Sequence, residues 1–411
     1  MRILLVADGR SPITRHWLQS LFALQHEVIL VSTYPCDPPP GVQAMQVFPV
    51  AFSALGGSQF GRQSGAEGRS AGWKPLVARF RNLLLAGRYT LGPPTLAYYG
   101  PRFQRLVETA QPDLVHALRI PFEGMLAAYT PPGVPLLVSI WGNDLTLHAR
   151  GSRAMGALTR RTLQRAGGLI ADARRDVRLA WQWGLPVERP TLVVPGSGGV
   201  DLVEVHRLRS MAHNPWDGVI PGGAPWVVNP RGFRPGSIRS DVFFEAIPLV
   251  LQRRPEVQFV CTGMAGQPEA LRWVERLKIG NNVRLLPYLT QAYLWDLFTR
   301  AQLSVSVSVH DGTPNSLLEA MACGCFPIAG DIESLREWIV PGVNGMLVDP
   351  TRPATLAEAI LTALDNGDLR STAAELNLQL IQQRADVNLV RSQIEVFYQR
   401  FYTAPPVEEG A

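Results

Sequence analysis

The sequence predicts two α/β domains, each built on a parallel sheet. Three observations carry this. The chain has 411 residues, and single cores stop growing near ~250–300 residues. Short apolar runs alternate with helix-period patterns along most of its length. A Pro/Gly-rich passage, Asn214-Pro215 through Pro221-Gly222-Gly223, interrupts the alternation midway and reads as an interdomain connection.

The first run, Arg2-Ile3-Leu4-Leu5-Val6-Ala7, is rich in strand formers and is ended by Asp8-Gly9-Arg10-Ser11-Pro12, as a buried parallel strand would be. Thr14 to Gln25 follows with Trp17, Leu18, Leu21, Phe22 and Leu24 at helical spacing, and Glu27-Val28-Ile29-Leu30-Val31 is the next strand, completing a βαβ unit. Strands are expected again at Asp113–Ala117, Pro135–Ser139, Gly168–Ala171 and Thr191–Val194. Ser53 to Gly72 is Gly- and Ser-rich and reads as a mobile loop; it leads into a basic, aromatic stretch, Trp73 to Arg105. Beyond the Pro/Gly passage the strands resume at Trp226–Asn229, Val257–Val260, Val283–Leu286, Leu303–Val307 and Phe326–Ala329, with helical patterns at Arg272–Leu277 and Ser316–Ala322. From Thr355 to Tyr402 the pattern stays helical. The expected division is residues 1–203, residues 204–380, and a helical segment 381–411 packing back toward the first domain.

Composition narrows the function. At 46% hydrophobic and 18% charged residues the chain is globular, and no apolar run approaches the ~18 residues of a membrane-spanning helix. Ile3 to Ala7 is too short for a secretory core, and four cysteines are too few for a disulfide framework, so a reducing cytoplasm is expected. Cys323-Gly-Cys325 lacks a second ligand pair, and no metal is expected. Residues 1–200 hold 21 Lys and Arg against 11 Asp and Glu, whereas residues 201–411 hold 18 against 23. A basic half suits anionic lipid, a phosphorylated substrate or nucleic acid, and equally a plain preference for arginine over lysine. No recognition fold accompanies the charge, so nucleic acid is not an expected partner.

The sharpest motif is His310-Asp311-Gly312-Thr313-Pro314-Asn315-Ser316-Leu317-Leu318-Glu319-Ala320-Met321-Ala322-Cys323-Gly324. It follows a strand and opens a helix: Gly312 permits an unusual backbone, Pro314 suits a first helical position and Gly324 a stop. Amide groups at such a helix start form an anion site fit for a diphosphate. Asp311 and Glu319 can both reach a ligand lying over that start; by spacing alone they serve equally well as a helix cap and a surface acid.

This segment resembles the hallmark of the family 4 retaining glycosyltransferases, whose GT-B fold has two facing Rossmann-like domains and a deep interdomain cleft. Their pattern is an acid, seven residues, a Glu, then A-x-A-x-G. Glu319-Ala320-Met321-Ala322-Cys323-Gly324 matches in full, Ser308 matches the serine preceding the first acid, and Asp311 stands where most members carry Glu. The resemblance implies that Glu319 accepts hydrogen bonds from the nucleotide ribose and that Asp311 contacts the transferred sugar. Gly312, Thr313, Pro314, Asn315 and Ser316 would line the donor. Asn229-Pro230-Arg231-Gly232-Phe233-Arg234 with Arg239-Ser240-Asp241 resembles the segment that neutralises the donor diphosphate, Arg239 replacing the usual lysine and Arg234 its alternate. Pro287 and Tyr288 fall where the family's nucleobase sits.

In the basic half, Trp141-Gly142-Asn143-Asp144 resembles the W-G-S-D turn of the acceptor side, to which Arg119 and His16 are also assigned. Pro112 to Leu118 resembles P-D-I-V-H-A-H, keeping His116 as a catalytic candidate although Leu118 replaces the second histidine; Gly9 remains of the family's glycine-rich first loop. Val193 to Asp201 resembles the interdomain link, and Gly342 to Val348 a trailing scaffold stretch. The implied activity is retaining transfer of a sugar from a nucleoside diphosphate sugar to a hydroxyl of a saccharide or lipid-linked acceptor, in surface polysaccharide or glycoconjugate synthesis, at a cytoplasmic or peripheral membrane location. No cofactor is expected beyond that co-substrate, and the absence of D-x-D argues against a bound divalent metal. Two other readings remain: a nucleotide-sugar epimerase of the same fold, and a non-catalytic nucleotide-sugar binder.

Overall fold

The computed structural model describes residues 1–54, 81–210 and 214–402, apart from the side chains of 81–86. Most of the Gly/Ser-rich stretch, and Arg79 and Phe80, lie outside the described residues. The chain divides into two compact units: residues 1–198 together with the chain from Val390 onward, and residues 199–389.

Unit 1 holds a seven-stranded parallel sheet in the order β3-β2-β1-β4-β5-β6-β7, made of β1 (Arg2–Ala7), β2 (Glu27–Ser32), β3 (Ala44–Val47), β4 (Leu114–Ala117), β5 (Leu136–Ile140), β6 (Gly168–Ala171) and β7 (Thr191–Val193). The chain builds outward from β1 in one direction and then returns to build in the other, so the strand order reverses between β1 and β4. The inner strands are buried at nearly every residue, without alternation, because helices cover both faces. Each fully buried Leu, Ile or Val side chain contributes about 1.5–3 kcal/mol.

Unit 2 repeats the plan with six parallel strands in the order β10-β9-β8-β11-β12-β13: β8 (Trp226–Asn229), β9 (Gln258–Cys261), β10 (Val283–Leu285), β11 (Leu303–Ser306), β12 (Phe326–Gly330) and β13 (Met346–Val348). Here the order reverses between β8 and β11. Ligands of open parallel sheets bind outside the strand carboxyl ends at such a reversal, so the fold itself nominates one location in each unit.

Several expectations change. The passage from Asn214 to Gly223 lies inside unit 2, where Trp216 and Ile220 are buried and Trp216 Nε1 donates to Asp296 at 2.7 Å. Its prolines and glycines shape a packed turn, and the division falls instead at Gly198 and Gly199, both at positive φ. The strands β3 and β13 escaped the sequence reading, being short and lacking a continuous β-branched run. The helical carboxyl region is three helices, Pro353–Asp365, Gly367–Arg384 and Val387–Gln399. Asn366 caps the second of these by accepting from Leu369 N. The basic, aromatic stretch reaches the helix Arg81–Ala110, but Tyr89 and Phe103 point into the unit 1 core rather than outward.

The last helix carries Val390, Ile394, Phe397 and Tyr398 on one stripe, and these pack with Trp17, Leu18 and Leu21 of the helix Pro12–Ala23 in the core of unit 1.

Candidate functional site

At the reversal in unit 2, β8 ends at Asn229, whose side-chain oxygen accepts from Arg231 N at 3.2 Å and turns the chain. Gly232 then takes φ +61°, a left-handed conformation that favours glycine. The turn aims Arg231 across the switch: its guanidinium donates to Asp311 Oδ2 at 2.6 Å. The same carboxylate oxygen accepts from Ser308 Oγ at 3.1 Å, and the Asp311 carbonyl accepts from Ser334 Oγ at 2.8 Å. Both ion-pair side chains are largely buried, with 9% and 17% exposure. Arg231 Nε is buried and has no hydrogen-bond partner among the described residues. Arg234 lies alongside, donating to the Arg231 carbonyl at 3.3 Å. The like charge of Arg231, and then desolvation, lowers the Arg234 guanidinium to about 10.

Tyr288 stands 62% exposed beside this turn. A Cβ on Gly263, which has φ +70°, would lie 2.8 Å from the Tyr288 ring, and the Pro287 carbonyl accepts from Gly263 N at 3.1 Å. An exposed ring held over two left-handed glycines offers a flat surface for a planar partner.

The motif helix spans Asn315–Ala322 with Pro314 as its N-cap, one position earlier than the sequence placed it, and no side chain caps it. Asp311 is therefore committed to Arg231 rather than to capping. Gly312 is not among the left-handed glycines of the described residues, whereas Gly324 is, and it stops the helix as expected. Thr313 Oγ1 accepts from Trp338 Nε1 at 2.9 Å, which pins the loop. Asn315 is half-buried, and Ser316 Oγ is buried with no hydrogen-bond partner among the described residues. Glu319 is no surface acid: it is 8% exposed, and its Oε1 accepts from Gln291 Nε2 at 2.9 Å. Gln291 opens the helix Gln291–Arg300, and no motif marks it. Arg239 pairs with Asp241 at 2.7 Å, both side chains part-exposed, and its backbone N donates to the Val307 carbonyl.

In unit 1 the predicted residues separate into two groups. Asp144, fully buried, accepts from Arg119 at 2.7 Å, Ile120 N at 3.1 Å and Trp141 N at 3.2 Å, so it pins the ends of β4 and β5 together. Asn143 accepts from the amides of Leu147 and His148, and the Gly142 carbonyl accepts from Arg175. The Arg119 guanidinium lies 5.3 Å from the Trp141 ring. Gly9 sits over Ser32, which accepts from its N–H at 3.1 Å; a Cβ there would come 2.6 Å from Cys36 Sγ, so the loop after β1 needs glycine. His16 is half-buried on the helix Pro12–Ala23.

His116 does not join them. It lies on β4 with no exposure, its Nδ1 2.7 Å from Tyr398 Oη and its Nε2 2.8 Å from Ser139 Oγ. Burial lowers its imidazole to about 3, so the ring is neutral. With both nitrogens engaged by hydroxyls, it ties the carboxyl-terminal helix to the sheet and has no face left for substrate.

Among the described residues no group of three or more His, Cys, Asp or Glu is placed to hold a metal ion, and no helix is long and apolar enough to cross a membrane.

The chain resembles known proteins in both units. Residues 8–196 match a glycosyl transferase 4-like domain, and residues 233–366 match the glycosyl transferases group 1. The D-inositol 3-phosphate glycosyltransferase of Thermobispora bispora is 30% identical over 138 residues, covering 31% of this chain and 32% of that protein. The phosphatidyl-myo-inositol mannosyltransferase of Mycobacterium tuberculosis is 30% identical over 170 residues, 38% of this chain and 42% of that one. The matched stretches thus span less than half of these relatives. Sucrose-phosphate synthase of Thermosynechococcus elongatus superposes with a TM-score of 0.73 at 17% identity, over 98% of this chain and 100% of its own. HepE of Anabaena, in complex with UDP and glucose, superposes with a TM-score of 0.68 at 18% identity, over 97% and 100%. Two parallel-sheet units, the acid-and-Glu segment on the second, and family matches that succeed one another along the chain lead to one statement: the chain belongs to the group 1 glycosyltransferases.

Proposed function

We propose that this protein transfers a sugar from a nucleoside diphosphate sugar to a hydroxyl of a saccharide or lipid-linked acceptor, with retention at the anomeric carbon and without a metal. Unit 2 takes the donor and unit 1 the acceptor. The observation that carries the reading is the Arg231–Asp311 pair at the strand reversal of unit 2, flanked by Arg234, the orphaned Ser316 hydroxyl and the buried Glu319. Arg231 brings a charge and an unpartnered buried Nε to the place where a parallel sheet receives a ligand, and with Arg234 beside it the two arginines carry one positive charge more than Asp311 balances. A diphosphate meets that demand. Ser316 Oγ and the amides of its helix start supply neutral donors to the same anion. Tyr288 offers its ring to the base, and Glu319, held by Gln291, accepts from the ribose hydroxyls.

In the transfer, the bond from the anomeric carbon to the diphosphate oxygen breaks while the acceptor oxygen bonds to that carbon. The acceptor proton passes to the departing phosphate. Negative charge grows on the leaving group, so arginines that grip it more tightly as it departs lower the barrier. The relatives named for inositol phosphate and phosphatidyl-inositol favour an acceptor of glycoconjugate or surface polysaccharide synthesis. The basic amino-terminal half is consistent with work at the cytoplasmic face of a membrane.

A thermal-shift panel of UDP-, GDP- and ADP-sugars tests the donor assignment, since a ligand of the folded state raises its melting temperature. One of them stabilises the wild type, and the anomeric configuration of the product then matches that of the donor, with or without chelator. Stabilisation by none of the panel sinks the reading. Binding without transfer to any acceptor leaves a nucleotide-sugar binder, and turnover without acceptor an epimerase.

A further inference from the structure

The strand reversal in unit 1 also gathers cations, and the family motifs account for only one of them. Two arginines lie over an aromatic floor at the carboxyl ends of β1, β2 and β4, and a third, Arg119, lies over the Trp141 ring after β5. The Arg10 guanidinium lies 3.7 Å from the centre of the Tyr34 ring, and the Arg88 guanidinium lies 5.6 Å from that ring and 4.7 Å from Phe122. Phe122 takes φ +69°, a conformation a bulky residue adopts only when its surroundings hold it there. Arg119 reaches in from the loop after β4.

Three acids stand among these three cations. Asp8 pairs with Arg10 at 3.0 Å, and Asp144 with Arg119 at 2.7 Å. The third acid, Glu123, is buried and accepts from Thr33 Oγ1 at 2.8 Å; burial raises its carboxyl above the ordinary range against the pull of Arg119, Thr33 and Arg88. His148, bonded to Tyr89 Oη at 2.6 Å, is held at about 3 by burial and then by Arg119 and Arg88, so it stays neutral. Arg88 acts on Glu123 through space without reaching its carboxylate. Among the described residues it makes no ion pair, and its Nε, like that of Arg119, is buried without a hydrogen-bond partner. A half-buried guanidinium with idle donors is costly unless an anion completes it.

We propose that unit 1 carries a phosphoryl-binding subsite in which Arg88 is the principal cation and Arg10 and Arg119 flank it, and that this subsite selects acceptors bearing a phosphate ester. This rests on the assignment of the acceptor to unit 1. A phosphoryl group fits because a planar guanidinium donates two parallel hydrogen bonds to it. The aromatic floor fixes the height of the guanidinium groups and leaves their edges toward the ligand.

Calorimetry with glycerol 3-phosphate, and with glycerol as its uncharged counterpart, tests this on the full chain. Glycerol 3-phosphate binds the wild type and glycerol does not. Arg88→Gln weakens that binding by about tenfold or more, and Arg88→Lys, which keeps the charge but not the fork, falls between. Arg234→Gln, in unit 2, separates this subsite from the donor arginines: binding lost there and kept in Arg88→Gln assigns the phosphate to unit 2 and overturns the proposal. Vesicles of phosphatidylglycerol in phosphatidylcholine, compared with phosphatidylcholine alone, distinguish a lipid headgroup from a soluble ester. Arg88-dependent binding to the vesicles alone supports a lipid-borne phosphate, and Arg88-dependent binding of the soluble probe supports a free one. If neither probe responds to Arg88→Gln, the subsite does not exist. Donor binding by the wild type, from the nucleotide-sugar panel, is measured separately, so its presence alongside a silent phosphate titration overturns this proposal alone.

Discussion

Arg231 and Asp311 lie 80 positions apart in sequence and meet at 2.6 Å, one after β8 and the other after β11, across the reversal of the second sheet. The contact fixes a cation and a carboxylate at the strand reversal of the second unit before any ligand arrives. Ser308 holds the same carboxylate oxygen, so the acid cannot swing away when the arginine turns toward an anion.

Removing one member of this pair should separate stability from catalysis. Asp311→Asn leaves Arg231 charged and largely buried, at a cost of about 3–5 kcal/mol in urea unfolding. Arg231→Ala should lower turnover by about 10²–10³-fold, as loss of a donor to developing charge does. The double variant Arg231→Met/Asp311→Leu should recover most of the stability and none of the turnover. Recovery of turnover would remove the pair from the chemistry.

Glu319→Ala should weaken donor binding by about 1.5–3 kcal/mol, the value of charge-assisted hydrogen bonds. Gln291→Ala should weaken it by less, because the carboxylate stays and loses only its tether. Calorimetric titration of the stabilising nucleotide sugar checks both. An unchanged affinity in Glu319→Ala contradicts the ribose assignment.

Tyr398 Oη contacts both His116 Nδ1 and Trp17 Nε1, at 2.7 and 3.2 Å. Tyr398→Phe keeps the ring and strands both buried nitrogens, so each should cost about 1–3 kcal/mol. Thermal unfolding should drop by several degrees, with donor affinity in unit 2 untouched. An unchanged melting temperature would show that these nitrogens find other partners.

Acid should destabilise unit 1 through His116. Its folded value of about 3 lies below the ordinary 6.5 of the unfolded chain, so below pH 6.5 the unfolded state binds more protons. The contribution is present at pH 7 and is lost progressively as the pH falls from 6.5 toward 3. Between pH 7 and 5 the loss is about 2 kcal/mol. His148 is depressed in the same direction and adds to it. Urea midpoints at the two pH values measure this, and His116→Gln should flatten the slope. A wild-type midpoint that does not move would contradict it.

The candidate site was legible where the chemistry is local. Asn229 to Arg234 and Asp311 to Gly324 each follow a strand, and their residue types announce a turn and an anion, whereas Asp8-Gly9-Arg10 announced only a turn and the glycine in it. Spacing left Glu319 open between a ligand contact and a surface acid, and the family resemblance chose the first; its burial and its bond to Gln291 were not visible, since Gln291 belongs to another helix and carries no motif. Arg239 looked equivalent to Arg231 in sequence. Its own helix supplies Asp241 two positions later, and that nearby carboxylate captures it. His116 was misplaced for a related reason: a histidine at a strand end reads the same whether its ring meets solvent or a tyrosine from the far end of the chain. Arg88 drew notice as one charge in a basic stretch expected to meet lipid or a lipid-linked acceptor, but not by itself, because its surroundings come from distant parts of the chain.

The amino-acid order by itself determined the two α/β units, nearly all their strands and the turns that follow them, because hydrophobic period, glycine and proline act over a few residues. Tertiary structure decided which arginines reach a carboxylate, that Tyr398 of the last helix bonds His116, and that the acid Glu319 is buried. Those outcomes depend on groups brought together from distant positions, and a charge or a hydroxyl takes its role from whichever neighbour lies within hydrogen-bonding reach.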